Sequence, residues 1–85
     1  MVSVAAESSG KERREAAIGG RVLDLLGRPE LPHQVRVRHL WAGRYRVNVL
    51  IGADSAFAEI AHSYFLSVDD DGNIIESAPP IRKRY

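Results

Sequence analysis

The hydrophobic period of the chain changes once, near Pro32. Before it, Ala17, Ile18, Val22, Leu25 and Leu26 recur at spacings of three and four, the stripe by which one face of an α-helix meets a core. Ser9 followed by Glu12 fits a capping box, in which hydroxyl and carboxylate each satisfy an unpaired backbone N–H, so the helix is expected to begin at Ser9. Gly27 and Pro29 supply its stop. Gly19 and Gly20 interrupt it at roughly 1 kcal/mol each relative to alanine. They leave two readings open: a weak or kinked helix, or close packing against a sheet.

After the loop GRPELPH the pattern alternates. In QVRVRHLW, Val35, Val37, His39 and Trp41 share one face; in RYRVNVLI, Tyr45, Val47, Val49 and Ile51 do. Both runs therefore bury their odd residues. Residues opposite each other in an antiparallel pair share a face, so odd must meet odd. That excludes a plain two-residue Ala42-Gly43 loop and predicts an odd one, Trp41 to Gly43 with Gly43 left-handed, pairing Leu40 with Arg44, Val37 with Val47 and Arg38 with Arg46.

The next strand, from about Phe57 to Val68, turns its even residues inward: Ile60, His62, Tyr64, Leu66 and Val68. An even loop, Ala53 to Ala56, then sets Val49 beside Ile60, Val47 beside His62 and Tyr45 beside Tyr64. A three-residue turn, Asp70 to Gly72, brings Ile74 opposite Val68 and opens a short last strand, Asn73 to Ser77, ahead of Pro79 and Pro80. The fold class expected is α+β: one N-terminal helix laid on the apolar face of a three- to four-stranded antiparallel meander. Residues 1–8 read as a flexible N-terminus, 9–77 as a single domain, and 78–85 as a Pro-Pro basic tail.

Composition narrows the classes. Eighty-five residues suffice for one domain whose small core buries only about 60% of the unfolded surface. With no cysteine there is no disulfide, and self-association is the remaining common way for so small a unit to gain stability. The net charge of +1 creates no global attraction to nucleic acid. No apolar run approaches the ~20 residues of a membrane span. In MVSVAAESSGKERRE the charges follow the apolar stretch, the wrong order for a signal peptide, so the expected location is cytoplasmic.

Catalytic chemistry finds little support. His33 lies in a loop; His39 and His62 point inward but stand roughly 12 Å apart in this register, too far for a shared zinc. Ser63 neighbours His62 on a strand and so projects to the opposite face. An enzymatic alternative rests on a pocket at the helix–sheet junction containing His62, Tyr45 and Tyr64. VDDDGNI lacks the glycine and glutamate positions of an EF-hand, and the Gly19-Gly20 pair is no phosphate loop. No enzyme, cofactor or metal is therefore expected.

The outer sheet face is the remaining place for function. Arg36, Arg38, Arg44 and Arg46 gather there, with Arg38 facing Arg46, a like-charge pair that is mildly destabilising unless something compensates. Glu59, the Asp70-Asp71 turn, solvent or an acidic partner are the candidates. Leu40, Leu50, Phe65 and Ile75 share that face, and arginine mixed with large apolar groups is typical of protein interfaces.

RVLDLLG, RYRVNVLIG and FLSVDDDGNIIES, in that order, resemble the small PepSY-type and cystatin-like domains, whose Asp-Gly turn residues 68 to 74 approximate. The resemblance implies a helix-plus-sheet fold and a role in protein binding or peptidase inhibition; the cystatin-type inhibitory motif is absent. The expected function is thus a small non-enzymatic module that binds a protein partner or a second copy of itself, as a homodimer, through Arg36, Arg38, Arg44, Arg46 and Phe65. The alternative is an accessory nucleic-acid or anion binder using the arginines, Trp41, Tyr45 and the Arg82-Lys83-Arg84 tail. No membrane role is expected.

Overall fold

The computed structural model describes residues 2–53 and 58–85, with side chains from Gly10 onward. Helix α1 (Val2–Leu26) is followed by strands β1 (His33–Trp41), β2 (Arg44–Ile51), β3 (Glu59–Val68) and β4 (Ile74–Ala78). The strands form one antiparallel sheet in the order β1-β2-β3-β4. This is the expected α+β arrangement, with all four strands present. The helix starts at Val2, seven residues before the capping-box signal at Ser9; Ser9 itself lies outside the described side chains.

The buried face of α1 is carried by Ile18, Val22, Leu23 and Leu26, which pack on Tyr45, Val47, Val49, Tyr64, Leu66 and Val68 of the sheet. Ala17 and Leu25, expected inward, are exposed, and Leu23 takes their place. The reason is a rotation of the stripe toward the rows 18–22–26 and 19–23, which brings Gly19 rather than Ala17 against the sheet. A Cβ at Gly19 would sit 3.2 Å from Cγ1 of Val35 and 3.4 Å from Cγ2 of Val37, whereas one at Gly20 would meet nothing within 4 Å. Gly19 is thus the point of closest approach of helix to β1. Gly20 has no such contact, and nothing in its surroundings explains it.

In the first hairpin Val35, Arg36, Val37 and Arg38 lie opposite Val49, Asn48, Val47 and Arg46, as parity requires. The turn achieves this differently from the expectation. Trp41 pairs with Arg44, and the extra residue is Leu40, bulged between His39 and Trp41. One inserted residue shifts the alternation by one, so Trp41 leaves the inner face for the outer one. Gly43 is left-handed at φ 69°, which glycine adopts without steric cost.

The second hairpin keeps the expected parity in a register two residues away: Val49 faces His62, Val47 faces Tyr64 and Tyr45 faces Leu66. Most of the expected Ala53 to Ala56 loop lies outside the described residues. Ala61 is a second bulge, and beyond it Ile60 pairs with Leu50. Ile60 is consequently 59% exposed instead of buried. The third hairpin pairs Val68 with Ile74 as expected, then bulges at Ile75, after which Ser67 faces Glu76 and Phe65 faces Ala78.

Two sets of contacts tie the ends of this meander to α1. The Asp69 carboxylate accepts from the N–H groups of Asp71 (3.0 Å) and Asn73 (2.8 Å), fixing the turn. The helix grips that turn through Arg14, which donates to the Asp70 carbonyl at 3.0 Å, and Arg21, which donates to Asn73 Oδ1 at 2.9 Å. At the other end, residues 79–85 are not a free tail. Ile81 packs on the core, and the N–H groups of Arg84 and Tyr85 donate to the Leu26 carbonyl at 2.7 and 3.2 Å. That carbonyl belongs to the last turn of α1, where no intrahelical donor remains. Gly27, at φ 90°, caps the helix and leaves room for the Tyr85 backbone where a side chain would collide.

The two helical glycines should respond oppositely to substitution. Gly20→Ala is expected to raise stability by about 1 kcal/mol and the melting temperature by about 4–8 °C. Gly19→Ala should fall short of that gain, and Gly19→Leu should lose about 1–3 kcal/mol by forcing helix and sheet apart. Thermal and urea unfolding of the three variants checks the order.

Candidate functional site

The sheet has two unlike faces. The inner one carries the core; the outer one bears Arg36, Arg38 and Trp41 from β1, Arg44, Arg46 and Asn48 from β2, and Ser63 and Phe65 from β3, by the pairing of each row. No described element covers it at its centre: Arg36, Arg38 and Arg46 are exposed, Arg44 and Phe65 half-buried. The structure therefore brings together all five residues singled out from the sequence.

It adds Trp41, which the Leu40 bulge delivers to this face and which simple alternation placed inside. Its ring is 58% exposed and meets Phe65 at 5.7 Å between centroids. Because β1 and β3 flank β2 at about 4.8 Å each, the two rings meet over β2. The signal for this lay in the turn: an odd parity requirement at Trp-Ala-Gly can be met by a bulge as well as by an odd loop.

The opposed Arg38 and Arg46 are eased by hydrogen bonding rather than by ion pairing. Arg46 donates to Ser63 Oγ at 3.3 Å, and that hydroxyl donates in turn to Asn48 Oδ1 at 2.6 Å. The chain draws Arg46 toward β3. Among the described residues the ion pairs are Lys11–Glu15 and Arg28–Asp24, both on or beside the helix. None involves a sheet arginine. The carboxylates considered as partners lie elsewhere: Glu59 is set opposite Ile51 beyond the Ala61 bulge, and the Asp69 turn faces α1. Glu76, opposite Ser67, stands two strands from Arg44, roughly 10 Å between backbones.

The histidines are further apart than expected. His39 pairs with Tyr45 and His62 with Val49, four residues and two strands away, roughly 17 Å. Among the described residues no three histidine or acidic side chains are grouped to hold a metal ion. His62 is instead engaged with the C-terminal segment. Its Nε2 lies 2.8 Å from the Tyr85 hydroxyl, and its ring stacks on Tyr64 and meets Tyr85 edge-on. Burial, and then the Arg84 guanidinium, lower the His62 pKa below the ordinary histidine value. Burial raises that of Tyr64. His62 and Tyr64 share a shallow depression with Pro79, Pro80, Arg82 and Arg84, while Tyr45 lines a separate one with His39 and Ala42. The three residues of the enzymatic alternative are therefore not assembled around one cavity.

No described helix is long and apolar enough to cross a membrane. No family model, curated protein or solved structure matches the chain. The likeness to PepSY-type and cystatin-like domains rests on element order and the Asp-Gly turn alone.

The His62 shift carries a pH dependence. A histidine whose pKa is lower in the folded chain binds fewer protons there than when unfolded, so stability rises with pH across the interval between the two values. Its contribution is complete above the ordinary value of about 6.5 and is lost as pH falls through the lower, folded one. Urea midpoints between pH 7.5 and pH 5, expressed relative to about pH 7 behaviour, should fall more steeply for the natural chain than for His62→Gln. Equal slopes would show that His62 titration is not coupled to folding.

Proposed function

We propose that the chain is a small non-enzymatic binding module whose outer sheet face takes an anionic partner. The observation that carries this reading is the combination, on one face, of four arginines with no ion-pair partner among the described residues and an exposed tryptophan. Uncompensated guanidinium groups at close quarters repel one another, and an anionic surface relieves that repulsion while gaining charge-assisted hydrogen bonds.

The same charge argues against a second copy as the occupant. A two-fold symmetric interface sets a patch against itself, so eight arginines would gather across it against only the two copies of Glu76, the acid that shares a row with Arg44 and Ser67. Self-association through this face, attractive from the size of the chain alone, is disfavoured by what the face carries. Enclosure of the Asp69 turn by Arg14 and Arg21 supports the division of labour: the helix arginines serve the fold, and the sheet arginines are left for binding.

Replacing Arg36, Arg38, Arg44 and Arg46 by alanine should leave the circular dichroism spectrum and unfolding midpoint intact or slightly improved, since exposed like charges are removed. The variant should lose retention on immobilised heparin. An Arg82, Lys83 and Arg84 triple alanine variant should keep most of it. Retention that followed the tail instead of the sheet would move the binding surface away from this face.

A further inference from the structure

We propose that the occupant of the outer face is a single-stranded nucleic acid, laid along β1 and β2 with a base stacked on Trp41; the proposal rests on the anionic-partner reading above and names its partner.

Three features of the face favour a nucleic acid strand over an acidic protein. The first is the order of groups across it. Protein interfaces place an apolar or aromatic anchor at the centre and polar groups at the rim. Here the central row, Arg38–Arg46–Phe65, is led by two guanidinium groups and its Phe65 is half-buried, while the exposed aromatic, Trp41, lies at the end of the patch on the row of Arg44. A strand of alternating phosphate and base fits that arrangement, because charge and ring are wanted side by side along one line.

The second feature is spacing. The rows Arg36–Asn48, Arg38–Arg46 and Trp41–Arg44 follow one another at about 6.8 Å along the strands, two residues of about 3.4 Å each. One guanidinium row per step suits one phosphate per nucleotide of an extended strand. The three rows together offer room for two or three nucleotides, the number that an open four-stranded sheet typically holds by aromatic stacking.

The third is the half-buried hydrogen-bonding chain beside the arginines. Asn48 and Ser63, linked at 2.6 Å with Arg46 on the hydroxyl at 3.3 Å, supply an amide able to meet a base edge or a sugar hydroxyl. The Trp41 ring meets Phe65 in a tilted contact at 5.7 Å between centroids, and the residue stays more than half exposed. A duplex would offer phosphates but no free base to stack, so the preference for single strands is the specific content of the proposal.

Fluorescence anisotropy with a labelled oligothymidylate of about 12 nucleotides, within the range of single-strand site sizes, tests it. The expected salt dependence, with up to four phosphates neutralised, is a log–log slope reaching about −3. Arg38→Ala with Arg46→Ala should reduce its magnitude by about 1.4. Trp41→Ala should weaken binding at least about fivefold with little change in slope, and Trp41→Phe should recover most of that loss. An oligouridylate of equal length should bind comparably, and the matching duplex more weakly. Equal binding of polyglutamate and oligonucleotide, together with indifference to Trp41→Ala, would overturn the nucleic-acid proposal and leave the anionic-partner reading standing. Absence of binding to heparin, polyglutamate and oligonucleotide alike would overturn both.

Discussion

Strict alternation along a β-strand is the constraint on which this molecule turns, and each of its hairpins suspends it once. Leu40, Ala61 and Ile75 are each one residue too many for their ladder. Each bulge reverses the sense of every side chain beyond it. Without the first, Trp41 would turn to the face of the valines; without the second, Ile60 would turn to the inner face opposite Ile51. The core is thus built by the regular centres of the strands, and the character of the open face is set at their irregular ends.

The helix depends on the same sheet for its place. Its hydrophobic stripe is short, and only four of its described side chains belong to the core cluster, so its position is determined by fit as much as by area. Gly19 allows the helix axis to approach β1, and Arg14 and Arg21 fix its other side to the Asp69 turn. The result is a single-sided core with hydrogen-bonded fastenings along its edge. The sheet arginines and Trp41 lie on the opposite face, outside the core cluster.

Much of this was legible in the residues. Valines at every second position of β1 and β2 defined the inner face, and the like parity of the two runs required an odd insertion at the turn. The Arg36, Arg38, Arg44 and Arg46 grouping followed directly from that parity. What parity alone could not distinguish was an odd loop from a bulged strand, since both restore odd facing odd; Trp41 was misplaced for this reason. The two-residue register difference between β2 and β3 has the same origin, because a shift of two preserves every face. Residues 79–85 read as a tail because prolines and basic groups carry no periodic signal. Their attachment depends on a carbonyl at Leu26, a backbone acceptor that every sequence possesses and no residue type announces.

That attachment also orders the assembly of the chain. The three hairpins join near neighbours, contacts that close early because the loops between them are short. The bonds from the backbone of Arg84 and Tyr85 to Leu26 close a loop that contains the whole sheet, joining the last turn of α1 to the segment after β4. Ile81 packs against a core cluster drawn from both helix and sheet, and Tyr85 reaches His62 of β3. The C-terminal segment is therefore a fastening of high sequence separation, the kind of contact whose loop-closure entropy is greatest.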